Sequence, residues 1–480
     1  MSALRSASAH WARAAIGALA MAGALASPMA AARAQDNVPP DVIRDTEIEA
    51  ILHQEMDPVF AAANLDPKSV RVYVINDPDP NAFTMSGYNM FVTSSLIMLT
   101  KTPDELEGVL AHETGHMARG DVAHSAMMGH VALGPMIAGL GLGLLAAVAG
   151  APEAAAALIY SGSYFGELNA LAYSREQEAR ADQAAVTYLE KAGYSAKGLV
   201  DFFNNLRYQE VFDDVRKYKY FVDHPLTDDR IEALTVRAES EPHWSAKDSP
   251  QSIAAYDLMK AKLKGFLDRP YQTFAEVPET DKSFDARYER AFAYYKELDT
   301  GKSLKLIDGL AAEQPNDPYL YEQKAVTLLE TGKAAEAEAP ARRAVELKPD
   351  APLLRVLLGQ VLLAENDHAK LDEAIMNFNR ALILDGGSSQ ASPDTSLGSI
   401  APLAWQYLSE AYDAKGMGGM ARLAAAEQNF NLGQMQDAAI LAVRARHLLQ
   451  KDTPEWRRAT DIILASKPSP QELKALGEVG

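Results

Sequence analysis

From about Asp41 to Ala63 the apolar residues Ile43, Ile48, Ile51, Leu52 and Phe60 recur at roughly helical spacing, which predicts a helix over that stretch. Val70-Arg71-Val72-Tyr73-Val74-Ile75 alternates with period two and reads as a half-buried strand. Asn76-Asp77-Pro78-Asp79-Pro80 breaks it, because proline cannot donate to a ladder and Asn and Asp favour turns. Two further short strands are expected around Ala82 to Met85 and Met90 to Thr93, separated by Ser86-Gly87. Beyond them the pattern is helical, so the chain begins as α+β and runs into helices.

The C-terminal half repeats. Glu313-Gln314-Pro315-Asn316-Asp317-Pro318 recurs as Glu346-Leu347-Lys348-Pro349-Asp350-Ala351-Pro352, and Pro315 to Pro349 is 34 residues. That is the period of tetratricopeptide (TPR) helix pairs. The small residues Ala325, Gly332 and Ala344 lie between those prolines, where two helices of a pair pack closely. An irregular helical bundle is the alternative, but two matching proline boundaries favour TPR-like repeats. Such stacks expose a groove for peptides or proteins. The polar, proline-punctuated stretches near 240–250 and at Asp268-Arg269-Pro270 suggest where the domains meet. The reading is a signal peptide over 1–34, an α+β domain, mostly helical with a small sheet, over 35–265, a linker over 266–282, an all-α TPR-like solenoid over 283–465 and a tail over 466–480.

The first segment carries an address. Arg5 and Arg13 precede the apolar core Ala14 to Ala26, and Ala32-Arg33-Ala34 matches a small-x-small cleavage pattern, giving cleavage after Ala34. Its core is too short for a ~30 Å hydrocarbon layer. The 480-residue chain has 65 acidic and 46 basic residues, a net charge of −19 and no cysteine. So acidic a chain is a poor partner for nucleic acid phosphates. Without thiols there is no disulfide and no thiolate ligand, and any metal must be held by His, Asp or Glu. Export without cysteines suggests a bacterial periplasm. The uncharged run Val131 to Gly150 is long enough to span a bilayer. A single span would set His116 and Glu178 on opposite sides, so an apolar helical hairpin touching membrane or unfolded substrate is preferred.

Chemistry concentrates in Thr102 to Gly120. Thr102 and Glu105 have capping-box spacing, Pro103 suits the first turn, and Gly120 ends the helix. Leu106, Val109, Leu110 and Met117 supply a buried stripe. His112 and His116 are four apart, on one helix face, where both imidazoles can reach one Zn²⁺. Glu113 stands beside them, placed to take a proton from water that the metal has acidified. A catalytic zinc needs a third protein ligand. Glu178 can supply it, with Asp182 four residues on hydrogen-bonding a ligand histidine. Composition alone would instead make Arg175 to Asp182 a solvated charged helix.

His112-Glu113-Thr114-Gly115-His116, followed by Ser174-Arg175-x-x-Glu178-x-x-Ala181-Asp182, resembles the zinc metallopeptidase family that includes the CAAX prenyl protease. Asn81-Ala82-Phe83 is similar to that family's substrate-side strand, and His224-Pro225-Leu226-Thr227-Asp228-Asp229-Arg230-Ile231 to its later His-Pro…Arg-Ile element. The chain departs from the family at Ser86-Gly87-Tyr88, where relatives usually carry Pro-Gly-Gly. The resemblance implies one Zn²⁺ per chain on His112, His116 and Glu178, with Glu113 as base and Asp182 behind the ligands. It makes His224 and Arg230 gate or transition-state residues, His224 as a fourth zinc ligand. With an export signal before and TPR units after, it implies an exported endopeptidase for envelope (outer-membrane) proteins, with chaperone activity. Its partners would be peptide and protein substrates, and envelope assembly machinery held in the TPR groove. A non-catalytic TPR adaptor with a vestigial protease domain is the rival, and intact His112, Glu113, His116 and Glu178 argue against it.

Overall fold

The computed structural model describes residues 41–85, 88–121, 175–212, 224–386, 399–469 and 471. The expected signal peptide, the Ser86-Gly87 turn, the apolar run 131–150 and most of the Gly/Ser loop 386–399 lie outside the described residues. Among the described residues no helix is long and apolar enough to cross a membrane. The chain divides into two compact units, one comprising Val42–Arg44 and Ile48–Lys260, the other Asp45–Glu47 with the chain from Ala261 onward.

The first unit holds a four-stranded sheet of β1 (Val42–Ile43), β2 (Arg71–Ile75), β3 (Ala82–Met85) and β4 (Asn89–Thr93), in the order β1-β2-β4-β3. β2 and β4 run parallel with Arg71 opposite Asn89, while β1 and β3 pair antiparallel with β2 and β4 respectively. Helix α1 (Thr46–Ala62) therefore starts later than the periodicity predicts. Val42 and Ile43 bond to Ile75 and Val74 instead, because two more apolar side chains complete the sheet edge. β2 is not half-buried. Val72, Tyr73, Val74 and Ile75 are all buried, since an interior strand is covered on both faces. Rings stack across the sheet, Phe91 lying between Tyr73 and Phe83 at centroid distances of 5.3 and 5.2 Å. The Asn76–Pro80 break turns on Asp77, whose carboxylate accepts the Asp79 N–H. Thr93 ends β4 and caps α2 (Ser94–Leu99), its hydroxyl accepting the Leu96 N–H.

Helix α3 (Pro103–Arg119) follows, buried nearly all round rather than along one stripe. The expected capping box is absent. Thr102 has extended N-cap geometry, but its hydroxyl bonds the Asp104 carboxylate, and Glu105 accepts the Lys101 N–H at 2.7 Å. The helix ends as expected, at Gly120 with φ +71°. Next come α4 (described over 175–192), α5 (Lys197–Phe212), α6 (Asp228–Glu239) and α7 (Pro250–Leu267). Two glycines let α5 lie against α3. A Cβ on Gly198 would sit 2.2 Å from the Asp104 backbone, and one on Gly108 would sit 2.7 Å from Leu199. Gly115, between the two histidines, brings α4 close, its Cβ position being 3.0 Å from the Ala181 carbonyl oxygen.

The second unit is helical. It takes the end of α7 and then α8 (Pro270–Glu276), α9 (Phe284–Lys296), α10 (Thr300–Glu313), α11 (Pro318–Glu330), α12 (Ala334–Leu347) and α13 (Pro352–Ala364). α14 (Leu371–Leu384), α15 (Ala401–Ala414), α16 (Gly418–Asn431), α17 (Met435–Leu448) and α18 (Pro454–Ser466) complete it. Tight turns between neighbouring helices use left-handed residues, among them Leu298, Gly332, Asn366, Gly416 and Gly433. Proline opens α11, α13 and α18, where its missing N–H costs nothing. Ala325 and Ala344 are fully buried where helices approach.

Candidate metal centre and active site

α3 turns His112 and His116 to one side, four residues apart. α4 buries Glu178, Ala181 and Asp182, with Ala185, Val186 and Leu189 further along, while Arg175, Glu176, Ala179 and Arg180 stay exposed. The charged segment is thus not a solvated helix on every face. Close approach at Gly115 brings the Glu178 carboxylate to the histidines, Oε2 3.3 Å from His112 Nε2 and Oε1 3.4 Å from His116 Nε2. The two Nε2 atoms are 3.1 Å apart. His224, just before α6, adds Nδ1 at 3.1 Å from Glu178 Oε2 and 3.4 Å from His112 Nε2. All four side chains are buried, and their donor atoms lie within 4.8 Å of one another.

Each of the first two rings has a carboxylate at its far nitrogen. His112 Nδ1 is 3.0 Å from Asp182 Oδ1, and His116 Nδ1 is 3.1 Å from Asp121 Oδ2. His116, spending its Nδ1 proton on Asp121, turns its Nε2 lone pair toward His112 Nε2 and Glu178, and a His112 protonated at Nδ1 does the same. Converging electron pairs with no proton between them call for a cation. Their separations of 3.1 to 3.4 Å match the edge of a tetrahedron, ~3.3 Å, whose corners are ~2.0–2.1 Å from its centre. The donor set fits a zinc-type ion. Without one, carboxylates do the holding. Burial would lower both histidines, yet Asp182 and Glu178 keep His112 above its ordinary pKa, and Asp121 and Glu178 push His116 up to about 10. Burial would raise Glu178, but hydrogen bonds from three imidazoles hold it far below the carboxylate range.

Glu113 is buried beside the cluster. Among the described residues its Oε1 makes no hydrogen bond, and it lies 3.3 Å from His224 Nε2. Arg230, on α6, donates from Nε and Nη2 to the two Asp182 oxygens, both at 2.9 Å. Its Nη1 reaches the Pro225 carbonyl at 2.7 Å and Glu178 Oε2 at 3.1 Å. Arg230 therefore ties the His224 loop to the site. Asp228 instead pairs with Arg207 on α5 at 2.9 Å, and Asp229 is exposed. Asn81, Ala82 and Phe83 are not in the cluster; they lead into and begin β3, the sheet's edge strand, which packs against α3. Phe203 was not singled out by sequence reasoning, and it lies edge-on to His112 with Arg230 over its face. Asp121 was missed as well. Its only signal is an acid directly after a helix-ending glycine.

A small sheet, a buried His-Glu-x-x-His helix and a glutamate from a second helix define a metallopeptidase domain. Residues 46–238 match the model of peptidase family M48. The chain is also similar to the beta-barrel assembly-enhancing protease of Yersinia pestis, 25% identical with 62% of each chain covered. It is 24% identical to the beta-barrel assembly-enhancing protease of Escherichia coli (strain K12), over 61% of this chain and 60% of that one. Metalloprotease LoiP of the same strain is 30% identical over 37% of this chain and 66% of its own. The chain spans about three fifths of the length of the assembly-enhancing relatives it matches.

Proposed function

We propose that this chain is an exported zinc endopeptidase of the periplasm, acting in the quality control and assembly of outer-membrane proteins. The observation that carries the chemistry is the convergence of His112, His116 and Glu178 with Glu113 alongside. Zinc held there would polarise the scissile carbonyl and make water a competent nucleophile near neutral pH. Glu113 takes the water proton on its unbonded Oε1 and passes it to the leaving amine. Asp182 holds His112 by Nδ1, and Arg230 holds Asp182. β3 offers an extended edge on which a peptide substrate lies beside the site.

The names of the Yersinia and Escherichia relatives support the envelope role. The helix pairs support the TPR reading, with Pro318 and Pro352 opening α11 and α13 at the repeat's spacing. A TPR groove would hold assembly partners or unfolded clients, giving chaperone activity beside cleavage. Zinc analysis and casein cleavage by the full chain and Glu113→Gln test the chemistry. The mutant should keep one zinc per chain and lose cleavage by ~10²–10⁴. Wild-type cleavage by the zinc-loaded mutant would sink the mechanism.

A further inference from the structure

The two histidines of α3 are held differently. His112 is backed by Asp182, which comes from a neighbouring helix and is itself clamped by Arg230. His116 is backed by Asp121, from the end of its own helix. In a continuing helix, residues five apart differ by ~140° around the axis, and their side chains do not meet. Gly120 changes that. Its left-handed conformation, φ +71° and ψ 27°, turns the chain while its N–H bonds the carbonyls of His116 and Met117. Asp121 is thereby carried back under the histidine, Oδ2 3.1 Å from Nδ1, and Arg119 Nε sits 3.3 Å from the same oxygen.

We propose that Asp121 is the positioning residue for His116, fixing ring orientation and tautomer so that Nε2 faces the ion. This rests on the reading of His112, His116 and Glu178 as ligands. A carboxylate on the far nitrogen makes an imidazole a stronger ligand and removes the ring flip that would present the wrong atom. The helix's glycine stop is thus part of the metal site, and not only its end.

The test uses the full chain, with zinc ion competed against a chromogenic chelator. Asp121→Ala should weaken zinc binding ~10–100-fold. Asp121→Asn keeps an oxygen that can accept from Nδ1 but loses the charge, and should lose less. In the zinc-loaded chain, where His116 is neutral, ¹⁵N spectra of labelled histidine should show one ring changing tautomer in Asp121→Ala. A purely structural cap would lower the melting temperature of both variants and leave zinc affinity and tautomer as in wild type; that result overturns the proposal. His116→Ala separates the two readings. If it loses tight zinc binding while Asp121→Ala keeps it, only the role of Asp121 fails. If His116→Ala binds zinc like wild type, the ligand assignment fails and takes this proposal with it. Should Asp121→Ala not fold, the Asp121→Asn affinity decides.

Discussion

His224 has one ring nitrogen 3.1 Å from Glu178 Oε2 and the other 3.3 Å from Glu113 Oε1. If His112, His116 and Glu178 hold an ion, an imidazole placed there would compete with water for the position next to Glu113. Arg230 donates both to the Pro225 carbonyl and to Asp182, so one side chain ties the His224 loop to the carboxylate behind His112. His224→Ala should therefore raise basal casein cleavage several-fold with zinc content unchanged. A loss on the order of a hundredfold would mean that the imidazole stabilises the transition state instead. At this scale the pairing of His112 with His116 was readable because i, i+4 spacing fixes which side chains share a helix face. Asp121 was not, because its contact depends on the hand of one glycine's backbone. Nor were the partners of Asp228 and Arg230, which look alike as neighbouring charges and part only when α5 and α4 take their places.

At the scale of the element, α3 was legible in type and end but not in surroundings. Capping-box spacing misled because Lys101 and Asp104 compete for the same side chains. A single stripe was expected, yet the face away from the histidine cluster is buried too, and it carries Glu107. Glu107 faces Glu55 of α1, with Asp248 nearby, around a cavity of about 190 Å³ that Tyr194 and Ser252 also line. Burial, then repulsion by Glu55 and Asp248, pushes Glu107 up to about 9 from its ordinary 4.5. The folded chain thus keeps a proton that the unfolded chain gives up between those values, and stability declines as pH rises through that window. Across it, each pH step of one removes at most about 1.4 kcal/mol. Glu107→Gln, which still donates to Glu55, should leave the melting temperature unchanged near pH 4. It should raise it by a growing margin from pH 5 to 9. Equal melting curves at pH 8 would show that the carboxyl pair carries no strain.

For the whole molecule, punctuation in the sequence and division in space do not coincide. Asp268-Arg269-Pro270 reads as a break, but Pro270 opens α8, and the two units divide between Lys260 and Ala261, inside α7. Three early residues, Asp45–Glu47, go with the helical unit. No periodicity announces that, because it depends on one buried cation. Lys262 Nζ lies 2.8 Å from Asp45 Oδ2 and 3.0 Å from Glu47 Oε2, and Tyr288 donates to Glu47 at 2.7 Å. Thr46 bonds Glu322, whose pKa burial raises to about 8 even against the pull of Lys262. Burial would strip the Lys262 proton, yet the surrounding acids keep the group charged. Lys262→Met leaves two carboxylates facing each other without their cation, and breaking a buried pair from one side costs about 3–5 kcal/mol. The loss should appear in urea unfolding of the full chain, followed by far-ultraviolet circular dichroism. Zinc content should hold, since every candidate ligand lies in the other unit. Adding Glu47→Gln should recover part of the loss, because the remaining charge is then halved and the amide still accepts from Tyr288. A single mutant as stable as wild type would mean that Asp45–Glu47 are held by backbone and packing alone, and that the ion pairs of Lys262 contribute nothing to holding them.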